Sequence, residues 1–120
     1  MTTQEVADKL VELCKEQKLA EAMELYSPDI VSVEAGAPEG QTRESKGIAA
    51  VKAKGEWWAT NHDVHSMSVE GPLVAGPFFA VTFKFDVTLK AKNQRFTLEE
   101  VALYRVADGK VIHEEFFYSM

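Results

Sequence analysis

Hydrophobic positions along this chain change their period once, and the change divides it into a helical first half and a stranded second half. Over residues 3–17, Val6, Leu10, Leu13 and Cys14 recur at helical spacing while Glu5, Asp8, Lys9, Glu12 and Lys15 take other positions, which predicts an amphipathic helix. A second, short helix is predicted over Lys18–Leu25 and stopped by Pro28. Ile30–Glu34 reads as a strand with Ile30, Ser32 and Glu34 on one face. Residues 36–47, with their glycines and Pro38, read as a loop. A third helix, Gly47–Asn61, carries two adjacent apolar rows, Ile48, Val51 and Trp58 beside Ala50, Ala53 and Trp57. Neighbouring tryptophans cannot share one direction on a helix. One is expected in the core, and the other at an edge, where it walls a pocket or meets a second subunit.

From Val64 onward the period is two. Val64–Val74 reads as a strand broken at Gly71-Pro72, and Phe79, Val81, Phe83, Phe85, Val87 and Leu89 then alternate with polar or small residues, as in a strand buried on one face. Two more strands flank Asp108-Gly109, a strong hairpin signal. Helices first and long strands last, with no β-α-β alternation, predict an α+β domain over residues 1–120: a curved antiparallel sheet with helices on its concave face.

Glutamates interrupt the apolar runs of that final hairpin. Alternation places Phe96, Leu98, Glu100, Ala102 and Tyr104 on one face, and Thr97, Glu99, Val101, Leu103 and Arg105 on the other. Ile112, Glu114, Phe116 and Tyr118 are likewise opposed to Val111, His113, Glu115 and Phe117. The pattern alone leaves open which face looks inward, because both are partly apolar; a sheet covered by helices within and a second subunit outside fits it. A carboxylate facing an apolar interior is costly unless it is paired or functional.

Charge narrows the partners. With 19 acidic residues against 13 Lys and Arg, and a net charge of −6, neither nucleic acid nor an anionic membrane surface is expected as partner. No apolar run approaches the ~18 residues of a membrane span, and the first residues lack a signal peptide's basic and apolar regions, so a cytoplasmic protein is expected. The single cysteine, Cys14, fits a small buried hydrophobe. That cysteine and three scattered histidines give no zinc spacing, and neither metal nor cofactor is expected. His62 and His65, just after the third helix, are expected in capping or surface roles.

The order of elements, the stretch Leu25–Glu34, the helix opening at Gly47-Ile48 and above all residues 101–118 resemble the nuclear transport factor two-like superfamily. Within it they resemble the small bacterial SnoaL-like (polyketide-cyclase-like) members, over nearly the whole chain. The resemblance implies a cone-shaped, cystatin-like α+β barrel with a deep apolar cavity, a homodimer, and a ligand that is mainly apolar with a polar group. Ketosteroid isomerase, another member, carries its general base where Glu34 stands, but its two oxyanion donors fall on Leu10 and Ala102, which cannot donate. Steroid isomerisation is therefore not expected. The same match turns Ala102 inward, and with it Glu100, Tyr104, Glu114 and Tyr118. Glu34, Glu100 and Glu114 would then converge on a cavity lined by Trp57, Trp58, Phe83, Phe85, Tyr104, Phe116 and Tyr118. Adjacent carboxylates in such a place cannot all ionise cheaply; the alternative is that one or two of them pair with Arg43, Arg95 or Arg105 or reach solvent at the mouth of the cone. His113 and Glu115 form a second candidate pair by analogy with the cyclase branch, but contiguous strand residues face opposite sides, so His113, Glu114 and Glu115 make a poor metal site. The expected function is cofactor-free proton transfer at carbon (isomerisation, cyclisation or dehydration), with Glu34 as base, Glu100 or Glu114 as acid and Tyr104 or Tyr118 as donor. The alternative is a non-catalytic ligand-binding or dimerisation module.

Overall fold

A computed structural model of the chain describes residues 1–37 and 39–119. Helix α1 (Thr3–Lys15) starts at a capping box in which the Thr2 hydroxyl accepts from the Glu5 amide and the Glu5 carboxylate accepts from the Thr2 amide. Its stripe of Val6, Leu10, Val11, Leu13 and Cys14 is buried. A short α2 (Leu19–Ala22) runs into a 3-10 turn, Met23–Leu25, and then directly into β1 (Tyr26–Val33). The expected loop after β1 contains a strand, β2 (Glu44–Lys46), paired antiparallel with Val31–Val33. Pro38 lies outside the described residues. Helix α3 (Ile48–Asn61) follows, then β3 (His62–Ala75), β4 (Phe78–Leu89), β5 (Gln94–Ala107) and β6 (Lys110–Phe117).

The strands form one curved, unclosed sheet in the order β2-β1-β6-β5-β4-β3. One pair departs from the expected antiparallel pattern: β1 runs parallel to β6, with Ser32 beside Glu114. Gly71-Pro72 does not break β3. It sits in a register shift between Glu70 and Leu73, so a single long strand absorbs the irregularity as a bulge-like kink. The β5–β6 turn has positive φ at both Asp108 and Gly109, the backbone that a two-residue hairpin loop requires.

Helix α1 packs across β3, β4 and β5 and fills one end of the concave face with Val6, Leu10, Leu13, Phe79, Val81, Tyr104, Val106 and Val111. Tyr104 stacks on Phe79 at 4.7 Å between ring centroids. A further register shift, between Arg105 and Val106, leaves Ile112 unpaired, so Val111 and Glu114, with two residues between them, both face inward. The plain alternation that opposes Val111 to Glu114 fails there for that reason. No described helix is long and apolar enough to cross a membrane.

Candidate active site

Toward the other end of the concave face the inward side chains are only half-buried. Trp58, on α3, stacks on His62 at 4.5 Å and leans on Phe85 at 5.4 Å, and His62 meets Phe96 edge-on. The His62 ring also reaches the Trp58 carbonyl at 2.8 Å, closing the C-terminal turn of α3 in the expected capping role. His65 lies outside this cluster, against the Thr88 hydroxyl. Trp57 is 61 % exposed and meets the His62 ring edge-on at 6.2 Å, at the rim of the wall, whereas Trp58 lies within it. Phe83 is buried and stacks on Phe85. Tyr104 lies deeper still, inside the core.

The polar groups form a hydrogen-bonded chain between this half-open end and the core. Tyr118 donates to Glu34 Oε2 at 2.9 Å, and Lys54 Nζ pairs with Glu34 Oε1 at 2.8 Å. The same ammonium donates to Ser32 Oγ at 2.5 Å and lies 5.3 Å from the centroid of the Phe116 ring. Ser32 donates to Glu114 Oε1 at 2.8 Å, and Tyr26 donates to Glu114 Oε2. Parallel pairing of β1 with β6 places Ser32 beside Glu114, and antiparallel pairing of β5 with β6 places Tyr104 on its other side.

None of the arginines that could have paired these carboxylates does so. Arg43 donates to the Glu34 backbone carbonyl, Arg95 pairs with Asp86, and Arg105 lies over the Phe78 ring. The partner is Lys54, which hydrophobicity alone passes over. Its spacing, three residues after Val51 and four before Trp58, puts it on the inward row of α3, and a lysine on such a row is the signal that marks it. Ser32 shares the inward face of β1 with Ile30 and is fully buried, as the strand pattern indicates.

Glu100 completes the set. Among the described residues its carboxyl has neither an ion pair nor a side-chain hydrogen bond. Burial raises its pKa from 4.5 to about 7, with the nearby Glu34 and Glu114 adding to the rise and Lys54 opposing it. Glu114 is also raised, chiefly by burial, against the opposing effect of its Tyr26 and Ser32 bonds. Burial lifts Tyr26 and Tyr104 well above the usual phenol range. Cys14, pushed up to about 11 by burial, is a core residue with no nucleophilic character. His113 and Glu115 face away from Glu114, paired outward against Arg105 and Leu103. Among the described residues no group of three or more His, Cys, Asp or Glu side chains is placed to hold a metal ion.

A carboxyl whose pKa rises on folding makes stability fall with pH, because between the two values the folded state holds a proton that the unfolded state has lost. For Glu100 the loss begins near pH 4.5 and is complete just above 7. At roughly 1.4 kcal/mol per unit, it amounts to at most about 3.5 kcal/mol. Urea unfolding at pH 5 and pH 8 should show the higher stability at pH 5. Glu100→Gln should reduce the difference, leaving the part that the raised Glu114 contributes. Equal pH dependence in the two proteins would show that Glu100 titrates normally.

The described residues include surface depressions of about 330 and 470 Å³. The first lies on the outer face between Phe78, Leu103, Arg105 and His113. The second runs along Ser68, Thr82, Glu99 and Val101 and reaches Phe83 and Glu100. Neither is the deep enclosed cavity that the resemblance implies.

The family model for the SnoaL-like domain matches residues 1–118, nearly the whole chain. The chain belongs to the SnoaL-like family. A crystal structure of a Mesorhizobium loti protein, described as a candidate SnoaL-like polyketide cyclase with carbohydrate phosphatase in brackets, is 48 % identical to this SnoaL-like domain. It covers 98 % of this chain and 100 % of its own, with a TM-score of 0.91. More distant folds include a nuclear transport factor two-like protein from Burkholderia thailandensis, 17 % identical over 99 % of this chain and 92 % of its own, with a TM-score of 0.83. TerC, co-crystallised with polyporic acid, is 18 % identical over 98 % of this chain and 91 % of its own, with a TM-score of 0.72. At such identities the likeness is one of fold. Among curated proteins none matches the chain. The distant likenesses show a shared fold, the α+β architecture read from the sequence.

Proposed function

We propose that this SnoaL-like domain binds a small, mainly apolar molecule with a polar group at the half-open end of its concave face, and there moves a proton between carbons without a cofactor. Isomerisation, aldol-type cyclisation and dehydration all fall within that chemistry. Glu100 is the observation that carries the reading: a desolvated carboxyl with a pKa of about 7, free of protein partners among the described residues, beside an aromatic wall. Such a group can take a proton and give it back at neutral pH. Glu34 has both carboxylate oxygens engaged by Lys54 and Tyr118, so in this proposal it holds the site together while Glu100 moves the proton. Glu114 is the buried anchor of the network. The test is exchange of α-protons for deuterium in a panel of cyclic enolisable ketones dissolved in D₂O. Catalysed exchange supports the reading; exchange no faster than in buffer, for every ketone, overturns it.

A non-catalytic binding module is the second reading. Leu10 and Ala102 favour it, since both are packed in the core where the isomerase places its donors. A ligand retained through purification, seen by native mass spectrometry together with absent exchange, would establish that reading.

The proposed protein partner is a second copy. Phe78, Val101, Leu103 and Phe117 form an apolar strip on the outer face, each 38–49 % exposed, with Val101 and Phe117 directly paired across strands. Sedimentation at micromolar concentration should give the mass of two chains, and Leu103→Glu should give one. A single-chain mass for the unaltered protein would remove the dimer from the proposal.

A further inference from the structure

Removing a proton beside a carbonyl leaves negative charge on the carbonyl oxygen, and the reaction is slow unless a donor meets it. The two positions that carry such donors in the isomerase hold Leu10 and Ala102, so the donor must come from elsewhere. Lys54 stands in the right region. Its α3 row is anchored by buried Val51, its side chain is 26 % exposed, and its charge is felt by both Glu100 and Glu114. An ammonium has three N–H donors. Glu34 Oε1 engages one at 2.8 Å and Ser32 Oγ another at 2.5 Å. The third has no partner among the described residues, and the Phe116 ring lies 5.3 Å away.

We propose that Lys54 gives this third N–H to the carbonyl oxygen of the ligand and holds the enolate formed when Glu100 takes the α-proton. The inference rests on the proton-transfer reading above and deepens it by naming the substrate class, neutral enolisable carbonyl compounds. The α C–H bond breaks, its proton goes to the Glu100 carboxylate, and its electron pair moves through the C–C–O unit to the oxygen beside Lys54. Glu100 then returns the proton at a different carbon. Negative charge passes from Glu100 to the ligand oxygen while the total charge of the site stays constant, so no buried charge is created. A ligand with a permanent carboxylate fits poorly, because Glu34 already offsets the ammonium charge and two further carboxyls lie near.

A matched pair of flat probes tests this: 4-nitrophenol, whose oxygen mimics the enolate oxygen, and 4-nitrotoluene, which has a methyl group there. The unaltered protein should bind the phenol roughly 10- to 100-fold more tightly, the range of a charge-assisted hydrogen bond. Lys54→Met should bring the two affinities together without weakening nitrotoluene. In protein labelled with ¹⁵N at lysine, the Lys54 Nζ signal should shift with nitrophenol and stay in place with nitrotoluene; this readout needs no variant to fold. Equal affinities in the unaltered protein, an intact preference in Lys54→Met, or an unmoved Nζ signal would each overturn the role of Lys54 while leaving the binding site standing. Failure of both probes to bind would take the small-molecule reading down with it.

Discussion

Replacing Glu100 with Gln is expected to lower catalysed α-proton exchange by about 10²- to 10⁴-fold, the usual contribution of a positioned general base. In the unaltered protein the exchange rate should rise with pH and reach half its maximum near 7, where half of the Glu100 carboxyls are ionised. The variant should lose that titration along with the rate. Its fold should survive, because Gln has the shape of the protonated acid and burial disfavours the charged form at this position. That separates a chemical effect from a structural one, a separation that is hard to make at Glu34 or Glu114, whose oxygens are already held by protein groups. Retained exchange in Glu100→Gln, combined with its loss in Glu34→Gln, would return the base to the position that the isomerase resemblance assigns it.

How much of this was legible in the sequence depends on the kind of signal each residue sends. Alternation in β4 placed Phe79, Val81 and Phe83 on the buried face because a strand covered on one side has no other way to arrange them. The Asp108-Gly109 turn was legible because few residues tolerate positive φ twice in succession. Parallel pairing of β1 with β6 was not, since pairing partners so far apart in sequence leave no local mark. The bulge at Ile112 was equally silent, and it shifts which neighbours of Glu114 share its face.

The carboxylates themselves stood out against apolar runs, whereas their organising cation did not. A lysine on a helix reads as solvated by default, because its long stem can carry the charge to water. Only the row through Val51 and Trp58 reveals that the Lys54 stem starts on the inner side. Glu100 and Glu114 were similar as sequence, each a glutamate on an inward-facing run. Their different fates come from tertiary neighbours: hydroxyls from β1 reach Glu114, and among the described residues none reaches Glu100.

Glu114→Ala is the substitution expected to damage the fold most among the site residues. The side chain is 2 % exposed and accepts from Tyr26 and Ser32, whose hydroxyls would be left in the core without an acceptor. Each orphaned group costs about 1–3 kcal/mol, and the vacated volume adds to that, so a loss of roughly 3–5 kcal/mol is expected. For a chain of 120 residues this corresponds to a fall in Tm of more than about 10 °C by calorimetry. Glu114→Gln should cost only about 1 kcal/mol, because its carbonyl still accepts from Ser32 and its shape is kept. The comparison also separates the two roles open to this residue. A buried brace predicts that Gln restores the fold and lowers the midpoint of Glu100 by removing one neighbouring negative charge. A fall of under about 1 kcal/mol in Glu114→Ala would mean that water or a rearranged Lys54 satisfies the hydroxyls, and that Glu114 is held there for a ligand instead of for the fold.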